Sequence, residues 1–304
     1  MADRLLAIKV DVDTERGTRI GVPGLLELLN ELDIRATFLF SVGPDNTGRA
    51  IRRIFRRGFF GKVARTSVVS TYGLRTLLNG VLWPGPHIGR RHAGLMRSVR
   101  DAGHEVGIHC YDHVRWQDGL ASMNSDQVAA EFARARGEFE RIFGVPARTA
   151  GAAGWQANAF SLAAYDAAAL EHASDTRGSA PFFPSVQGKV YRTLQIPTTL
   201  PTLDELLGRP EFPYGQLVDR YLSWMGQGHM HVYTAHAEIE GMKHLDLFRQ
   251  LLTRVRERSW QVVPLGDIAR HCLAQRDTVA VCSMVNGEIE GRSGTLAMQG
   301  KALA

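Results

Sequence analysis

The chain has 304 residues, of which 44% are hydrophobic and 22% charged, a composition typical of a globular protein with one large core or two smaller ones. It has no apolar run of the roughly 18 residues that a membrane-spanning helix needs, no secretory pattern at its N-terminus and only three widely separated cysteines, so we expect a cytoplasmic protein without disulfides. The net charge of +5 is unevenly distributed, because the segment from Asn46 to Arg100 holds twelve Lys and Arg residues and no Asp or Glu.

Strand and helix patterns alternate along the chain. The first strand ends in acidic residues, and the first helix has Pro23 near its start and leucines at helical spacing. In chain order, strands are predicted at 5–13, 36–43, 105–110, 149–155, 173–178 and 190–197, a strand and turn at 229–241, helices at 23–33, 94–103, 125–144, 160–170, 217–228 and 244–259, and a last strand and helix within 260–272. This alternation predicts an α/β fold with a mainly parallel sheet, and seven or eight such units favour a barrel over an open sheet.

Ionisable side chains lie where predicted strands end, at the edge that carries the chemistry in parallel barrels. Asp11 and Asp13 end the first strand and point to the same side of it. His109 and His113 follow the third strand and, four residues apart, could bind one metal ion if the chain turns helically there. His236 lies at the end of a later strand. We therefore predict a metal site with two imidazoles and one carboxylate; the alternative is that the histidines are packing or surface residues.

Three segments resemble motifs of the polysaccharide deacetylase (NodB-homology) superfamily in order and spacing. They are VDVDT (10–14), GHEVGIHCYDH (103–113) and VYTAHAEIEG (232–241). The resemblance implies a distorted (β/α)7 barrel with one bound divalent metal ion. In this chain the barrel would carry a basic, apolar insertion after the second strand.

The resemblance also implies a role for each matching residue. Asp11 matches the general base and His236 the general acid, while Asp13, His109 and His113 match the metal ligands. Two imidazoles and a carboxylate suit zinc, and also cobalt, manganese or nickel, so the identity of the metal stays open.

Two motifs depart from the pattern of the superfamily. The third motif usually carries an Arg before a Pro, and TAGAAGW (149–155) lacks both. Of the fourth motif only SDTRG (174–178) is recognisable, with Asp175 and Arg177. In the family the missing Arg tunes the base through a neighbouring Asp, and Arg177 is the expected replacement. Asp175, Arg177, Trp155 and Glu238 are the predicted contacts to substrate; core packing is an equal alternative for Trp155.

Several segments without catalytic residues resemble one subfamily, the bacterial deformylases of formamido-arabinose linked to undecaprenyl phosphate. Among them are RGTRIGVPGLLELL (16–29), WPGPHIG (83–89) and NGEIEGRSG (286–294). The resemblance implies a polyprenyl-phosphate-linked sugar as substrate, formate and a free amine as products, and a place in lipid A modification and cationic-peptide resistance. The alternatives are an N-deacetylase of another N-acylated sugar and a non-catalytic barrel that binds anionic lipid.

The basic segment is predicted to contact a membrane. Its arginines are interspersed with aromatic and aliphatic side chains, a pattern typical of elements that lie on anionic lipid. The expected contacts are Arg52, Arg53, Phe55, Arg56, Phe59 and Phe60. We therefore expect a peripheral protein on the cytoplasmic face of the inner membrane; a solvated basic face is the alternative, and nucleic acid is not expected as a partner because no motif for it is present.

The domain organisation predicted from these features is simple. A barrel domain spans 1–275 and includes the membrane-docking insertion at 46–92, and a C-terminal extension spans 276–304.

Overall fold

The computed structural model describes residues 4–50 and 74–303. The strands are β1 (Leu5–Val12), β2 (Thr37–Ser41), β3 (Glu105–Cys110), β4 (Thr149–Ala150), β5 (His172–Ala173), β6 (Phe183–Val186), β7 (Lys189–Val190), β8 (Leu194–Gln195), β9 (Met230–His236), β10 (Gln261–Val263), β11 (Val281–Gly287) and β12 (Leu296–Ala302). The α-helices are α1 (Val22–Glu31), α2 (Leu74–Leu78), α3 (Ile88–Asp101), α4 (His113–Gly119), α5 (Ser125–Phe143), α6 (Ala159–Ala167), α7 (Leu203–Leu206), α8 (Leu217–Met225), α9 (Leu245–Glu257) and α10 (Leu265–Ala274).

The main sheet is parallel and curls around β1. Its order is β10-β1-β2-β3-β4-β5-β8, and β9 pairs with β1 over Leu5–Asp11. Because β9 occupies one edge of β1, β2 and β10 share the other edge. Beyond β8, the backbone N–H of Leu200 donates to the carbonyl oxygen of Val232 in β9 (3.3 Å), which brings the two ends of the curl together. The predicted α/β fold with a mainly parallel sheet is therefore confirmed.

The core lies between this sheet and the helices around it. β1 is buried along almost its whole length, as expected for a parallel strand covered on both faces. Leu25, Leu28 and Leu29 of α1 and Phe248 and Leu251 of α9 are at most 1% exposed and face this core. The leucines whose helical spacing predicted α1 therefore form its buried face.

The C-terminal extension contains two strands. β11 and β12 pair antiparallel, and β11 adds in parallel to β6, which gives a second sheet in the order β12-β11-β6-β7. The backbone of β12 also bonds to the fourth-motif segment, since the N–H of Arg177 donates to the oxygen of Ala297 (3.0 Å) and the N–H of Gln299 donates to the oxygen of Arg177 (2.7 Å). The extension is thus hydrogen-bonded beside the main sheet. The domain boundary at residue 275 stays a prediction.

Several predicted strands are shorter or divided in the structure. The segment 149–155 forms a strand only at Thr149–Ala150, because the chain then enters a 3-10 turn with Gly154 and Trp155 at φ 63° and 54°. The segment 190–197 is divided between β7 and β8. Among the described residues, no helix has the length and apolar character needed to cross a bilayer.

Candidate active site

Three strand ends bring the five residues predicted for catalysis and metal binding to one edge of the sheet. Asp11 lies in β1 and Asp13 directly after it, His109 lies in β3, and His236 ends β9. His113 is the first residue of α4, which follows β3. All five belong to the C-terminal ends of parallel strands, where parallel barrels place their chemistry.

The two histidines are placed by a junction between a strand and a helix, not by the helical turn that their spacing suggested. His109 is still extended in β3, and Asp112 caps α4 by accepting a hydrogen bond from the backbone N–H of Arg115 (3.0 Å). The side-chain amide of Asn46 donates to the other carboxylate oxygen of Asp112 (2.6 Å). With the junction held in this way, the ring centroids of His109 and His113 are 5.2 Å apart.

Asp13 and the two histidines form a cluster that fits a metal ion. Oδ1 of Asp13 lies 3.2 Å from Nε2 of His109 and 3.5 Å from Nε2 of His113, and ligand atoms of all three lie within 4.8 Å of one another. Within the described part of the chain, Oδ1 of Asp13 and both ring nitrogens of His109 are buried without a hydrogen-bond partner. Unsatisfied buried polar atoms are costly, and a divalent cation bound by two imidazoles and one carboxylate would satisfy them.

The electrostatics of the cluster favour an ionised Asp13. Burial alone would raise the pKa of this carboxyl, but the neighbouring imidazoles of His113 and His109 lower it well below its usual range. Conversely, burial opposes protonation of His109, yet Asp11 and Asp13 together raise the pKa of that imidazole. The site therefore holds concentrated negative charge next to imidazole nitrogens, which is the environment that attracts a cation.

Glu238 supports the loop that carries Asp13. One of its carboxylate oxygens accepts hydrogen bonds from the backbone N–H groups of Asp13 (3.2 Å) and Thr14 (2.8 Å) and from the hydroxyl of Thr14 (2.7 Å). Glu238 is 2% exposed, and burial together with the charge of Asp13 raises its pKa well above the usual range. A Cβ on Gly17 would lie 1.9 Å from the same oxygen, so only glycine fits there. These contacts involve one oxygen; the other, Oε2, is buried without a hydrogen-bond partner among the described residues, and a contact of Glu238 with substrate stays a prediction.

Asp11 is held from two sides and has one oxygen without a hydrogen bond. It is 2% exposed, with Oδ2 3.3 Å from the ammonium of Lys9 and Oδ1 3.8 Å from Nδ1 of His109. Across the described residues, Oδ1 of Asp11 finds no hydrogen-bond partner. Sequence reasoning missed Lys9, although the sequence held a signal: a single lysine in the apolar run LLAIKV, two residues before Asp11 and on the same side of the strand.

His236 is half-buried and held at the end of β9 by its neighbours. Its backbone N–H donates to one carboxylate oxygen of Glu240 (2.8 Å), and the hydroxyl of Tyr233 donates to the other (2.8 Å). The centroid of its ring lies 6.3 Å from that of Trp155. In the part of the chain described, Nδ1 of His236 is buried and has no hydrogen-bond partner.

Trp155 is enclosed by cations rather than open to a sugar. It is 2% exposed, and its indole N–H donates to the hydroxyl of Thr198 (3.2 Å). The ammonium of Lys9 lies 5.1 Å from its ring centroid, and the guanidinium carbons of Arg177 and Arg292 lie at 5.4 and 4.5 Å. Trp155 therefore acts as a shared apolar platform for three positive side chains.

The fourth-motif residues also point into the protein. Asp175 is fully buried and accepts hydrogen bonds from the backbone N–H of Ala152 (2.6 Å) and the amide of Gln195 (2.8 Å), and burial raises its pKa to about 6. Arg177 donates to Glu205 (2.7 Å) and to the carbonyl oxygen of Leu200 (2.9 Å). The structure thus corrects the expectation that Arg177 replaces the missing third-motif arginine, because its charge is engaged by Glu205.

The predicted membrane contacts fall in a part of the chain that the structure leaves undescribed. Outside the described residues lie Arg52, Arg53, Phe55, Arg56, Phe59 and Phe60.

The sequence profile of the polysaccharide deacetylase family matches residues 13–171, which hold Asp13, His109 and His113. The chain belongs to the polysaccharide deacetylase family. This confirms the predicted NodB-type barrel and the predicted class of enzyme, a hydrolase that acts on an amide-type C–N bond. Enzymes of this family are generally metal-dependent, in agreement with the site at the strand ends.

Within the polysaccharide deacetylase family, the chain is similar to two relatives over nearly its full length. A protein from Shewanella sediminis named as a probable 4-deoxy-4-formamido-L-arabinose-phosphoundecaprenol deformylase, ArnD, is 35% identical over 294 residues, 97% of this chain and 94% of its own. A protein of the same name from Wigglesworthia glossinidia brevipalpis is 31% identical over 94% of this chain and 99% of its own. The resemblance noted in the sequence is therefore confirmed.

Solved structures agree with the fold of this family. A crystal structure from Mycobacterium smegmatis assigned to the polysaccharide deacetylases has a TM-score of 0.66 at 18% identity and covers 95% of this chain and 96% of its own. The Puue allantoinase has a TM-score of 0.59 at 16% identity and covers 89% of this chain and 91% of its own. At these identities the likeness concerns the fold alone.

Proposed function

We propose that the protein hydrolyses the formamide of 4-deoxy-4-formamido-L-arabinose carried on undecaprenyl phosphate, and releases formate and the free aminoarabinose lipid. One observation carries this proposal: the Asp13, His109 and His113 cluster lies beside a buried carboxylate, Asp11, whose register partner on the adjacent strand is a half-buried imidazole, His236. The names of the two similar relatives support the choice of substrate.

Asp13, His109 and His113 are the residues that would hold the metal ion. When bound, a divalent ion in such a site polarises carbonyl groups and makes water more acidic. Asp11 lies next to this cluster, and its free oxygen is the acceptor for the proton that the attacking water gives up.

His236 supplies the proton that the departing nitrogen needs. Amide hydrolysis requires a protonated leaving amine, and an imidazole can give a proton near neutral pH. The half-buried imidazole of His236 and its position on the strand next to Asp11 fit this role. Acid and base thus belong to two adjacent strands at the edge that carries the cluster.

The substrate that we propose has a polyprenyl chain and stays in a membrane, so the enzyme has to work at the membrane surface. We propose that the insertion at 46–92 docks on anionic lipid at the cytoplasmic face of the inner membrane. Its excess of basic residues supports this, since each basic residue near such a surface contributes roughly 1 kcal/mol. Activity on this lipid would place the protein in lipid A modification and polymyxin resistance.

The decisive experiment measures formate release from the formamido-arabinose lipid by the purified protein. We expect formate and free amine in equal amounts, loss of both after treatment with a chelator, and recovery on addition of zinc, cobalt, manganese or nickel. The matched control is the N-acetyl analogue of the same lipid. Faster release of acetate than of formate would make the protein a deacetylase, and metal-loaded protein inert to both would contradict the proposed function.

A further inference from the structure

We propose that Lys9 is a positioning residue for catalysis: its ammonium group holds one oxygen of Asp11 and thereby leaves the other oxygen free as the proton acceptor. This inference rests on the role of Asp11 as base in the proposed function. Lys9 lies outside the residues that the sequence pattern predicted for the site, and it is fully buried.

Three contacts fix the position of the Lys9 ammonium. It donates to the carbonyl oxygen of Ser174 (2.9 Å), it lies 3.3 Å from Oδ2 of Asp11, and it lies 5.1 Å from the ring centroid of Trp155. A buried ammonium needs such partners, because an unpaired charge in the interior is strongly destabilising. The nitrogen is therefore an anchored cation, and Asp11 is the carboxylate within ion-pair distance of it.

The anchor explains why the two oxygens of Asp11 differ. Oδ2 faces Lys9, while Oδ1 lies on the side of His109 and has no hydrogen bond among the residues described. A carboxylate pinned by one oxygen presents the other in a fixed direction, which is what transfer of a proton from a positioned water requires. Without the cation the carboxylate could rotate, and the proton-accepting oxygen would no longer be held in one direction.

The strand and a neighbouring glycine define the surroundings of the lysine. Lys9 and Asp11 are two residues apart in β1, so both side chains leave the strand on the same face. Gly151, which directly follows β4, lies beside the lysine. A Cβ on Gly151 would clash with Leu39 at 2.4 Å and would lie 3.5 Å from the Lys9 nitrogen. The third-motif segment, which lacks an arginine, thus provides a backbone without side chain beside the ammonium.

The first test compares Lys9→Met and Lys9→Arg in steady-state kinetics on the formamido-arabinose lipid. Met keeps the length of the side chain but removes the charge, and we expect kcat to fall about 100-fold, within the range for general-base catalysis, while KM changes less than about threefold. Arg keeps the cation and should restore kcat to within about tenfold of the original enzyme. Lys301→Met, at an exposed lysine in β12, is the matched control and should leave both constants unchanged.

Two further readouts do not depend on turnover. Cobalt affinity of Lys9→Met should match that of the original protein, because Lys9 is not a ligand. In denaturant unfolding, Lys9→Met and Asp11→Asn each leave one buried charge unpaired, so the double variant should lose less stability than the sum of the single losses. The unfolding cycle tests the pair even if the formamido-arabinose lipid is not the substrate, which separates failure of this inference from failure of the proposed function.

Three results would overturn the inference. One is Lys9→Met with an unchanged kcat in an enzyme that releases formate. Another is a loss of kcat that Lys9→Arg does not restore, which would indicate a packing role. The third is strict additivity of the two single variants in unfolding.

Discussion

Asp11 in β1 and His236 in β9 are partners in register on two adjacent parallel strands, and the backbone N–H of Ala237 donates to the carbonyl oxygen of Asp11 (3.0 Å). The strand pairing thus fixes the distance between the proposed base and the proposed acid. The two groups differ in burial, since Asp11 is 2% exposed and His236 is half-buried. The proposed base is therefore more shielded from solvent than the side chain of the proposed acid.

The substitution Asp11→Asn should abolish turnover and leave the metal site intact. Asparagine keeps the shape of the side chain but cannot accept the proton, so we expect a loss of kcat of about 1000-fold or more. Metal content after equilibration with cobalt should equal that of the original protein. If cobalt affinity instead fell by about 10- to 100-fold, Asp11 would serve mainly to orient His109, whose Nδ1 lies 3.8 Å away. Asp101→Asn, at an exposed position in α3, is the control.

The substitution His109→Ala should remove the metal itself. His109 is buried, and its Nε2 lies 3.2 Å from Asp13, so the substitution removes a buried ligand from the cluster. Metal analysis should show substoichiometric binding, and formate release should disappear with it. His271→Ala, at an exposed histidine in α10, should change neither quantity. Full metal occupancy together with an unchanged rate in His109→Ala would show that the assigned ligand set is wrong.

The substitution His236→Gln should lower kcat without affecting metal binding or folding. Glutamine cannot deliver a proton to the leaving amine, and we expect a loss of about 100-fold or more. The half-buried ring has no hydrogen bond at Nδ1 among the described residues, so the midpoint of thermal unfolding should stay within a few degrees. An unchanged kcat would remove His236 from the proposed chemistry, and loss of bound metal would assign it to the ligand set instead.

The sequence was sufficient to find the edge of the sheet and five residues on it, because each lies at the end of a strong strand pattern. Asp11, Asp13, His109 and His236 are all within or directly after a predicted strand. The register that places Asp11 opposite His236 was not readable, because it depends on pairing between residues 225 positions apart in the chain.

Partners of charged residues were the least predictable part of the site. Arg177 was expected near the base, but it pairs with Glu205, and the cation beside Asp11 is Lys9. Both pairings depend on which side chains share a face inside the barrel. Only the pairing of Lys9 with Asp11 is indicated by the local sequence, because the two residues are two apart in β1. The C-terminal strands were also missed, since β11 is completed by β6, about a hundred residues earlier.

Removal of residues 49–83 should release the protein from membranes and spare the metal site. The backbone N–H of Asp45 donates to the carbonyl oxygen of Pro86 (2.9 Å), so the chain enters and leaves this segment at one point that a short linker can close. The deletion keeps Asn46, whose amide supports Asp112 next to His113. The shortened protein should stop sedimenting with anionic liposomes and should still bind cobalt.

Substitutions within the segment separate charge from apolar contact in the same assay. Replacement of Arg52, Arg53 and Arg56 by Gln should weaken binding to anionic vesicles in a salt-dependent way, because surface charges act over about a Debye length. Replacement of Phe59 and Phe60 by Ala should weaken it at all salt concentrations. Sedimentation of the 49–83 deletion at the level of the full protein would refute the docking proposal.

His104 should make the folded state less stable as the pH falls. Burial, with a contribution from Arg35, lowers the pKa of this imidazole from 6.5 to about 4. Its Nδ1 accepts a hydrogen bond from the backbone N–H of Ala36 (3.2 Å), which requires the neutral ring. Between pH 6.5 and 4 the unfolded chain therefore binds a proton at His104 and the folded protein does not. The free energy of unfolding decreases as the pH falls through this interval. In His104→Asn the amide oxygen can accept the same hydrogen bond without titrating. Urea unfolding of both proteins in the same metal-free buffers should show a larger loss for the original protein across the interval, and equal losses would show that another group governs its acid sensitivity.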